Sequence, residues 1–241
     1  MQELLAPLQS PSLKEVFIER FEALILSGQL KIGQKLPSER ELALRLGVSR
    51  PVVHQGLVDL EAKGLVALTP RVGAVVGDYR QDGSLALLNS LVAYHQGRLE
   101  PDLQTSLLEV RRLFEVETAR LAALHREAAH LEALQQVVAE EAQTARQDTE
   151  RITALDFRLH HLLALASGNR IYPLLLNSFK QVYLNLAAQF FADPTVVEAV
   201  HAFHRRLVAA VAAGDATAAA AVMEEMLVHG AAHLQRLTRR P

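Results

Sequence analysis

The stretch Leu36–Val76, LPSERELALRLGVSRPVVHQGLVDLEAKGLVALTPRVGAVV, constrains the fold more than any other part of this chain. Ser38 and Glu41 have the S-x-x-E spacing of a capping box, which opens a helix by satisfying two of its free N–H groups. Gly47 stops that helix and Ser49 caps the next, with Pro51 in its first turn, where a missing N–H costs little. Gly64 ends this second helix. Its apolar stripe is Val53, Leu57 and Leu60, which leaves His54 and Gln55 outside the buried face. Two short apolar runs, Leu65–Leu68 and Ala74–Val76, flank Thr69-Pro70-Arg71-Val72-Gly73 and predict a two-stranded wing whose turn carries Arg71 as its only charge. A tight helix–turn–helix presents the N-terminal tip of its second helix. With Arg50 and His54 at that tip, the surface expected to receive it is the major groove of double-stranded DNA.

These residues carry a resemblance. Leu36-Pro37-Ser38-Glu39-Arg40-Glu41-Leu42-Ala43, then Leu46-Gly47-Val48-Ser49-Arg50, then Leu60-Glu61-Ala62-Lys63-Gly64-Leu65-Val66 are similar, in order and spacing, to the winged helix–turn–helix of GntR-type bacterial transcription regulators. The resemblance covers about the first third of the chain. The candidate DNA contacts are Arg40, Ser49, Arg50, His54, Arg71 and Gly73. Where GntR-type proteins usually have Thr-Pro-Val-Arg-Glu-Ala, this chain has Pro51-Val52-Val53-His54-Gln55-Gly56, so the operator sequence does not carry over from relatives. His54 replaces a permanently charged arginine with a side chain that ordinarily titrates near about pH 6.5, so DNA affinity is expected to rise as the pH falls.

Composition sets outer bounds. A length of 241 residues allows one large domain or two smaller ones, and half the residues are apolar, enough for a core. There is no cysteine, which excludes disulfides and thiolate metal sites and fits a cytoplasmic protein. No basic-then-apolar segment opens the sequence, so a secretory signal is not expected. No run approaches the roughly 18 apolar residues that span a bilayer, so no membrane partner is expected. The net charge of −2 argues against nucleic acid only as an average. Residues 1–80 hold ten Lys and Arg against nine Asp and Glu, with Lys35, Arg40, Arg45, Arg50 and Arg71 placed where phosphates would be met at short range.

The polar, glycine-bounded stretch Gly77–Gly83 reads as a linker. It predicts a winged helix–turn–helix domain over 1–77, a linker over 78–83 and an all-helical domain over 84–241. The fold class expected is therefore mainly α, a small β wing apart. An N-terminal helix over Ser12–Ser27 carries the stripe Val16, Phe17, Phe21 and Leu24. After the linker the pattern predicts helices over Ser84–Gln96, Leu103–His125, Ala129–Arg146, Ile152–Ala166, Ile171–Phe191, Val196–Ala213 and Thr217–Leu237. The alanine-rich run Ala216–Val222 reads as a tightly packed helix.

Asp156 and His160 are four apart, hence on one helix face with Leu163, and His204 shares the stripe Val200, Leu207, Val211 of another helix. A carboxylate and two imidazoles converging in a bundle suit a divalent transition metal. The alternative is a set of buried polar residues bonded to one another. Arg111, near the start of a long helix, either forks a carboxylate effector or pairs internally with Glu115, four residues on. Asn169, after Gly168, either caps locally or turns its amide into a pocket.

Glu109-Val110-Arg111, Asp156…His160, Ser167-Gly168-Asn169 and His204…Gly214-Asp215…Ala219 resemble the C-terminal ligand-binding (FCD) domain of the FadR subfamily. That resemblance implies an all-helical bundle that binds small metabolites, often carboxylates, and in many members a metal held by one Asp and three His. Asp156, His160 and His204 match three of the four ligands. The fourth is expected twenty-two positions after His204, where this chain has Met226, a soft and weak ligand for zinc, nickel or manganese. Three outcomes follow: a metal held by three protein ligands and water, a metal completed by His229 or His233, or no metal. The reading reached is a homodimeric, ligand-responsive regulator of transcription that binds a palindromic operator and a small anionic metabolite. The rivals are a metal-dependent enzyme using Asp156, His160 and His204 to activate water, and a helical interaction module with a vestigial DNA-binding domain.

Overall fold

The computed structural model describes residues 11–238, which divide into two compact units, one ending at Arg98 and the other beginning at Leu99. The first holds α1 (Leu13–Leu26), α2 (Glu39–Leu46), α3 (Arg50–Ala62), β1 (Val66–Thr69), β2 (Gly73–Val76), α4 (Tyr79–Asp82) and α5 (Leu87–Tyr94). The second holds α6 (Pro101–His125), α7 (Ala128–Gln143), α8 (Thr149–Ala166), α9 (Tyr172–Phe191), α10 (Val197–Ala213) and α11 (Ala216–Thr238), with a 3-10 turn at Pro194–Val196. The fold is mainly helical with a small β wing, as the sequence predicts.

Side-chain caps open the first two helices but not the third. Ser12 and Glu15 close a full reciprocal capping box on α1, each donating a backbone N–H to the other's side chain at 2.7 and 3.2 Å. On α2 only half of the expected box forms: Glu41 N donates to Ser38 Oγ at 3.2 Å, while the Glu41 carboxylate pairs with Arg45 one turn on. Ser49 takes the N-cap position of α3, but its hydroxyl makes no capping bond. The sequence expectation of a side-chain cap at Ser49 is thus corrected, and the exposed hydroxyl is left for another partner.

The α1 stripe also differs from expectation. Phe17, Ile18, Phe21 and Ile25 are buried, whereas Val16 is 45% exposed. The reason is the close approach of α1 to α3. A Cβ on Gly56 would lie 2.3 Å from Cδ1 of Phe17, whose ring stacks on Phe21 with centroids 4.4 Å apart. An alanine in a helix interior ordinarily gains about 1 kcal/mol over glycine. Here overpacking against a fixed ring outweighs that gain, and Gly56→Ala is expected to lower stability by about 1–3 kcal/mol in urea unfolding. A neutral or stabilising result would show that Phe17 rotates away freely.

β1 and β2 pair antiparallel, Val66 opposite Val76 and Leu68 opposite Ala74. The segment 34–36 adds a third edge: Leu36 N donates to Ala74 O and Val76 N donates to Gln34 O, both at 2.9 Å. At the tip, Arg71 adopts φ +67°, a left-handed conformation uncommon for a side-chain-bearing residue. Val53, Leu57 and Leu60 are fully buried while His54 and Gln55 are exposed, as their spacing predicts.

The first unit extends beyond the expected boundary at residue 77. Asp78 caps α4 by accepting from Arg80 N, so the stretch read as a linker holds a helical turn. Leu87 of α5 joins the first unit's core. Lys63 Nζ donates to Glu22 Oε1 at 2.5 Å and Ser90 Oγ to the same oxygen at 2.8 Å, tying α5 to α1 and the end of α3. In the second unit, one core draws Ala119, Ala122 and Ala123 of α6 against Leu134, Leu159, Leu207 and Met223. Ala219 is fully buried, so the alanine-rich run is a close-packed helix face.

Candidate functional site

Two surfaces carry chemistry, one in each unit. In the first, the start of α2, the exposed face of α3 and the wing border one groove, lined by Glu39, Arg40, Arg50, His54, Thr69 and Gly73, among others. All six predicted DNA contacts are exposed. Arg40, Arg50, His54 and Gly73 line the groove, Ser49 stands beside it at the α3 N-cap, and Arg71 stands in the wing turn. Sequence reasoning missed Glu39. Its carboxylate accepts from His54 Nδ1 at 2.8 Å and from Arg50 Nε at 3.1 Å. The hydrogen bond from His54, helped by that from Arg50, holds Glu39 below the usual carboxylate range although burial works the other way.

In the second unit, a buried polar cluster draws side chains from five helices. Asp156 and His160 come from α8 and His204 from α10, with one ligand atom of each within 4.8 Å of the others. Glu115 of α6 pairs with His160 Nδ1, and Glu141 of α7 accepts from His204 Nδ1 at 2.7 Å. Tyr183 of α9 donates its hydroxyl to Asp156 Oδ2 at 2.5 Å. Met226 of α11 lines the same cavity as Asp156 and His160. Arg111 donates to Glu115 through Nε at 2.5 Å and through Nη2 at 3.3 Å, and its guanidinium lies 4.4 Å over the Tyr183 ring.

The electrostatics follow from burial. Glu115 is 1% exposed, and burial alone would raise its pKa; the Arg111 charge and then His160 outweigh this and bring it to about 2. Burial likewise works to lower His204, but the hydrogen bond and charge of Glu141, then Asp156, raise it. Burial and the Asp156 charge push the Tyr183 phenol well above its ordinary value, so it remains a donor. Glu115 and Asp156 act on the Arg111 guanidinium and Glu141 on His204, so the buried cluster holds three carboxylates and one permanent cation.

The residues fit a divalent cation on a further observation. A carboxylate only accepts, so the Nδ1 of His204 that meets Glu141 carries the proton of the neutral ring. Its Nε2, buried and with no hydrogen bond, faces Asp156 Oδ1 at 3.5 Å; a proton on Nε2, which the raised pKa favours, and a cation compete for the same place.

A cavity of about 60 Å³ adjoins the cluster. Arg111, Asp156 and His160 form its polar end, and Leu108, Leu186, Phe190 and Leu234 line its apolar side. It exceeds the roughly 10–15 Å³ that one water needs. Arg111 therefore lines the cavity and pairs with Glu115 at once. Asn169 is not among the residues that line it; its Oδ1 accepts from Ile171 N at 2.9 Å, a local turn bond. His229 packs between Phe190 and Phe203, and His233 lies against Phe190 and within 3.7 Å of Asp193. Neither belongs to the Asp156 cluster as the structure places them.

A winged helix–turn–helix followed by a helical bundle with a polar-ended cavity defines a DNA-binding regulator with a ligand-binding domain. Residues 13–76 match the model of the bacterial regulatory proteins of the gntR family, and residues 77–240 that of the FadR C-terminal domain, a near variant of the FCD domain suggested by the motifs. The chain is 32% identical over 226 residues to the HTH-type transcriptional regulator Mce2R of Mycobacterium tuberculosis, with 92% of each covered. It is 31% identical over 175 residues to the fatty acid metabolism regulator protein of Yersinia enterocolitica, covering 73% of this chain and 71% of that one. Lar, which controls expression of the Listeria monocytogenes agr system, shares the fold at a TM-score of 0.64 and 19% identity, with 95% of this chain and 100% of that one covered. The chain belongs to the GntR family of transcription regulators and carries a FadR-type C-terminal domain. These relatives are regulators, and the metal-dependent enzyme reading gains no support from them. No helix among the described residues is long and apolar enough to cross a membrane.

Proposed function

We propose that the chain works in the cytoplasm as a homodimer on a palindromic operator, and that Asp156, His160 and His204 hold a divalent cation beside the site of a small carboxylate effector. The observation that carries the metal reading is the buried His204 Nε2, which makes no hydrogen bond and faces Asp156 Oδ1 at 3.5 Å in a cluster of three buried carboxylates. Zinc, nickel and manganese suit this donor set. When bound, the cation would supply positive charge at the polar end of the cavity and attract an anionic metabolite. The protein's own residues do the rest. Glu115 and Glu141 fix the ring orientation of both histidines, as carboxylate partners of metal ligands do. Arg111, committed to Glu115 by two N–H groups, keeps others of its five donors for an effector. Leu108, Phe190 and Leu234 favour an effector with an apolar body. The effector regulates only by binding operator-competent and operator-incompetent states unequally.

Metal analysis and native mass spectrometry of protein purified without chelator or metal-affinity tag test this reading. The expected species is a dimer carrying one ion per chain. A metal-free protein whose calorimetric titration with zinc, nickel and manganese gives no heat would leave the cluster satisfied by protons instead. For the DNA arm, Arg50→Ala should cost about 1–3 kcal/mol on the operator if Arg50 reads a guanine. Binding of the wild type should also weaken steeply with salt through counterion release.

A further inference from the structure

We propose that Glu39 is a specificity-determining residue that acts through the recognition helix: it buttresses Arg50 and His54 so that both present fixed groups to base edges. Glu39 is the first residue of α2, and Arg50 and His54 stand one turn apart on α3, hence on one face. One carboxylate holds both, Oε2 accepting from Arg50 Nε at 3.1 Å and Oε1 meeting His54 Nδ1 at 2.8 Å.

The atoms used are the informative part. Arg50 spends only Nε on Glu39, so both terminal amino groups remain as the parallel fork that matches guanine O6 and N7 in the major groove. His54 spends Nδ1, so Nε2 points away from the carboxylate as its free edge. The Arg50 side chain is 71% exposed and the His54 side chain 57%, while that of Glu39 is 27% exposed. An exposed arginine without such a tether loses rotamer freedom at the moment of contact; a tethered one has lost part of it in advance. The carboxylate is itself supported by the positive end of α2, where its charge is favourable. It also remains ionised at neutral pH, because its own partners depress its titration.

The opposite role is a latch, in which Glu39 competes with DNA phosphates for Arg50 and His54. The two roles predict opposite signs. A buttress lost costs discrimination between sequences, and a latch lost tightens every duplex.

The test uses the full-length protein and two DNA duplexes: the consensus that the wild type enriches from a random-sequence pool, and a scrambled duplex of the same composition. Affinities are measured at one moderate salt concentration for wild type, Glu39→Ala, Glu39→Gln, Arg50→Ala and the Glu39→Ala/Arg50→Ala double variant. Glu39→Ala is expected to lower the preference for the consensus by about 10- to 100-fold, the range of a well-held arginine–guanine pair, with scrambled-duplex affinity within about 2-fold of wild type. Glu39→Gln, which keeps an acceptor oxygen, is expected to retain part of the preference. In the Arg50→Ala background, Glu39→Ala is expected to add little, because its effect runs through Arg50. Equal melting temperatures across the set exclude unfolding as the cause. Should Glu39→Ala tighten both duplexes, or lower consensus binding by the same factor with and without Arg50, the buttress is overturned. A wild type that enriches no sequence overturns it together with the operator reading.

Discussion

Glu115→Ala is expected to destabilise the helical unit by about 3–5 kcal/mol, the cost of breaking a buried ion pair by removing one partner. The variant leaves Arg111 buried over Tyr183 with its principal counterion gone, and leaves His160 Nδ1 without the carboxylate that faces it. An i,i+4 pair on an exposed helix face is worth only about 0.3–0.5 kcal/mol, so the magnitude discriminates between a surface pair and this one. Glu115→Gln should cost less, because an amide oxygen still accepts from Arg111. Acid should mimic the substitution. The Glu115 carboxyl is depressed from an ordinary 4.5 to about 2 in the folded protein, so the unfolded chain binds the proton first as the pH falls. The stability it contributes is fully present above about pH 4.5 and is lost progressively as the pH drops toward 2. Urea midpoints of wild type and Glu115→Gln should therefore converge across that window. A Glu115→Ala variant within about 0.5 kcal/mol of wild type would place Arg111 in solvent and overturn the pairing.

Much of this was legible because it is local. Gly47, Ser49, Pro51 and Gly64 punctuate the two recognition helices within a few residues of their ends, and the stripe Val53, Leu57, Leu60 fixes which face of α3 is buried. The helices of the second unit end near Gly168, Asp193-Pro194 and Gly214 for the same reason. What escaped is tertiary. Glu141 continues the buried stripe Leu134–Val137 of α7, and an acid on an apolar stripe is a signal in itself, but nothing local says that His204 waits opposite. Tyr183 lies within the stripe Phe179–Leu186 and reads as core until Asp156 is placed beside it. Glu39 reads as an ordinary first-turn acid until α3 folds over it. Arg111 was given two readings from sequence, and the structure combines them: the pair with Glu115 forms on the wall of the cavity. The expected boundary at residue 77 follows the composition of Gly77–Gly83, whereas packing carries the first compact unit on to Arg98 through α5, whose apolar face becomes visible only against α1.

Met226→His is expected to turn a three-ligand cluster into a four-ligand one and to raise affinity for zinc or nickel by an order of magnitude or more, on the scale of roughly 10–100-fold that even supporting residues of metal sites command. Met226 is 6% exposed and lines the cavity that Asp156 and His160 also line, so an imidazole there replaces a buried side chain of similar bulk. A thioether is a soft donor suited to copper(I), whereas imidazole suits zinc and nickel. The gain reaches stability by linkage, since the ion binds the folded cluster far better than the unfolded chain. At a free metal concentration of 100 times the dissociation constant the folded state gains about 2.7 kcal/mol, so the variant's melting temperature should climb with added zinc over a range where the wild type has already levelled or has not begun to respond. His204→Ala in the Met226→His background should reverse the gain, because His204 Nε2, which makes no hydrogen bond, is the atom that would meet the ion. Calorimetry that shows equal affinity in wild type and Met226→His would mean the α11 side chain does not reach the ion. The remaining coordination would then belong to water or effector, and an effector carboxylate should compete with water for it in the wild type as in the variant.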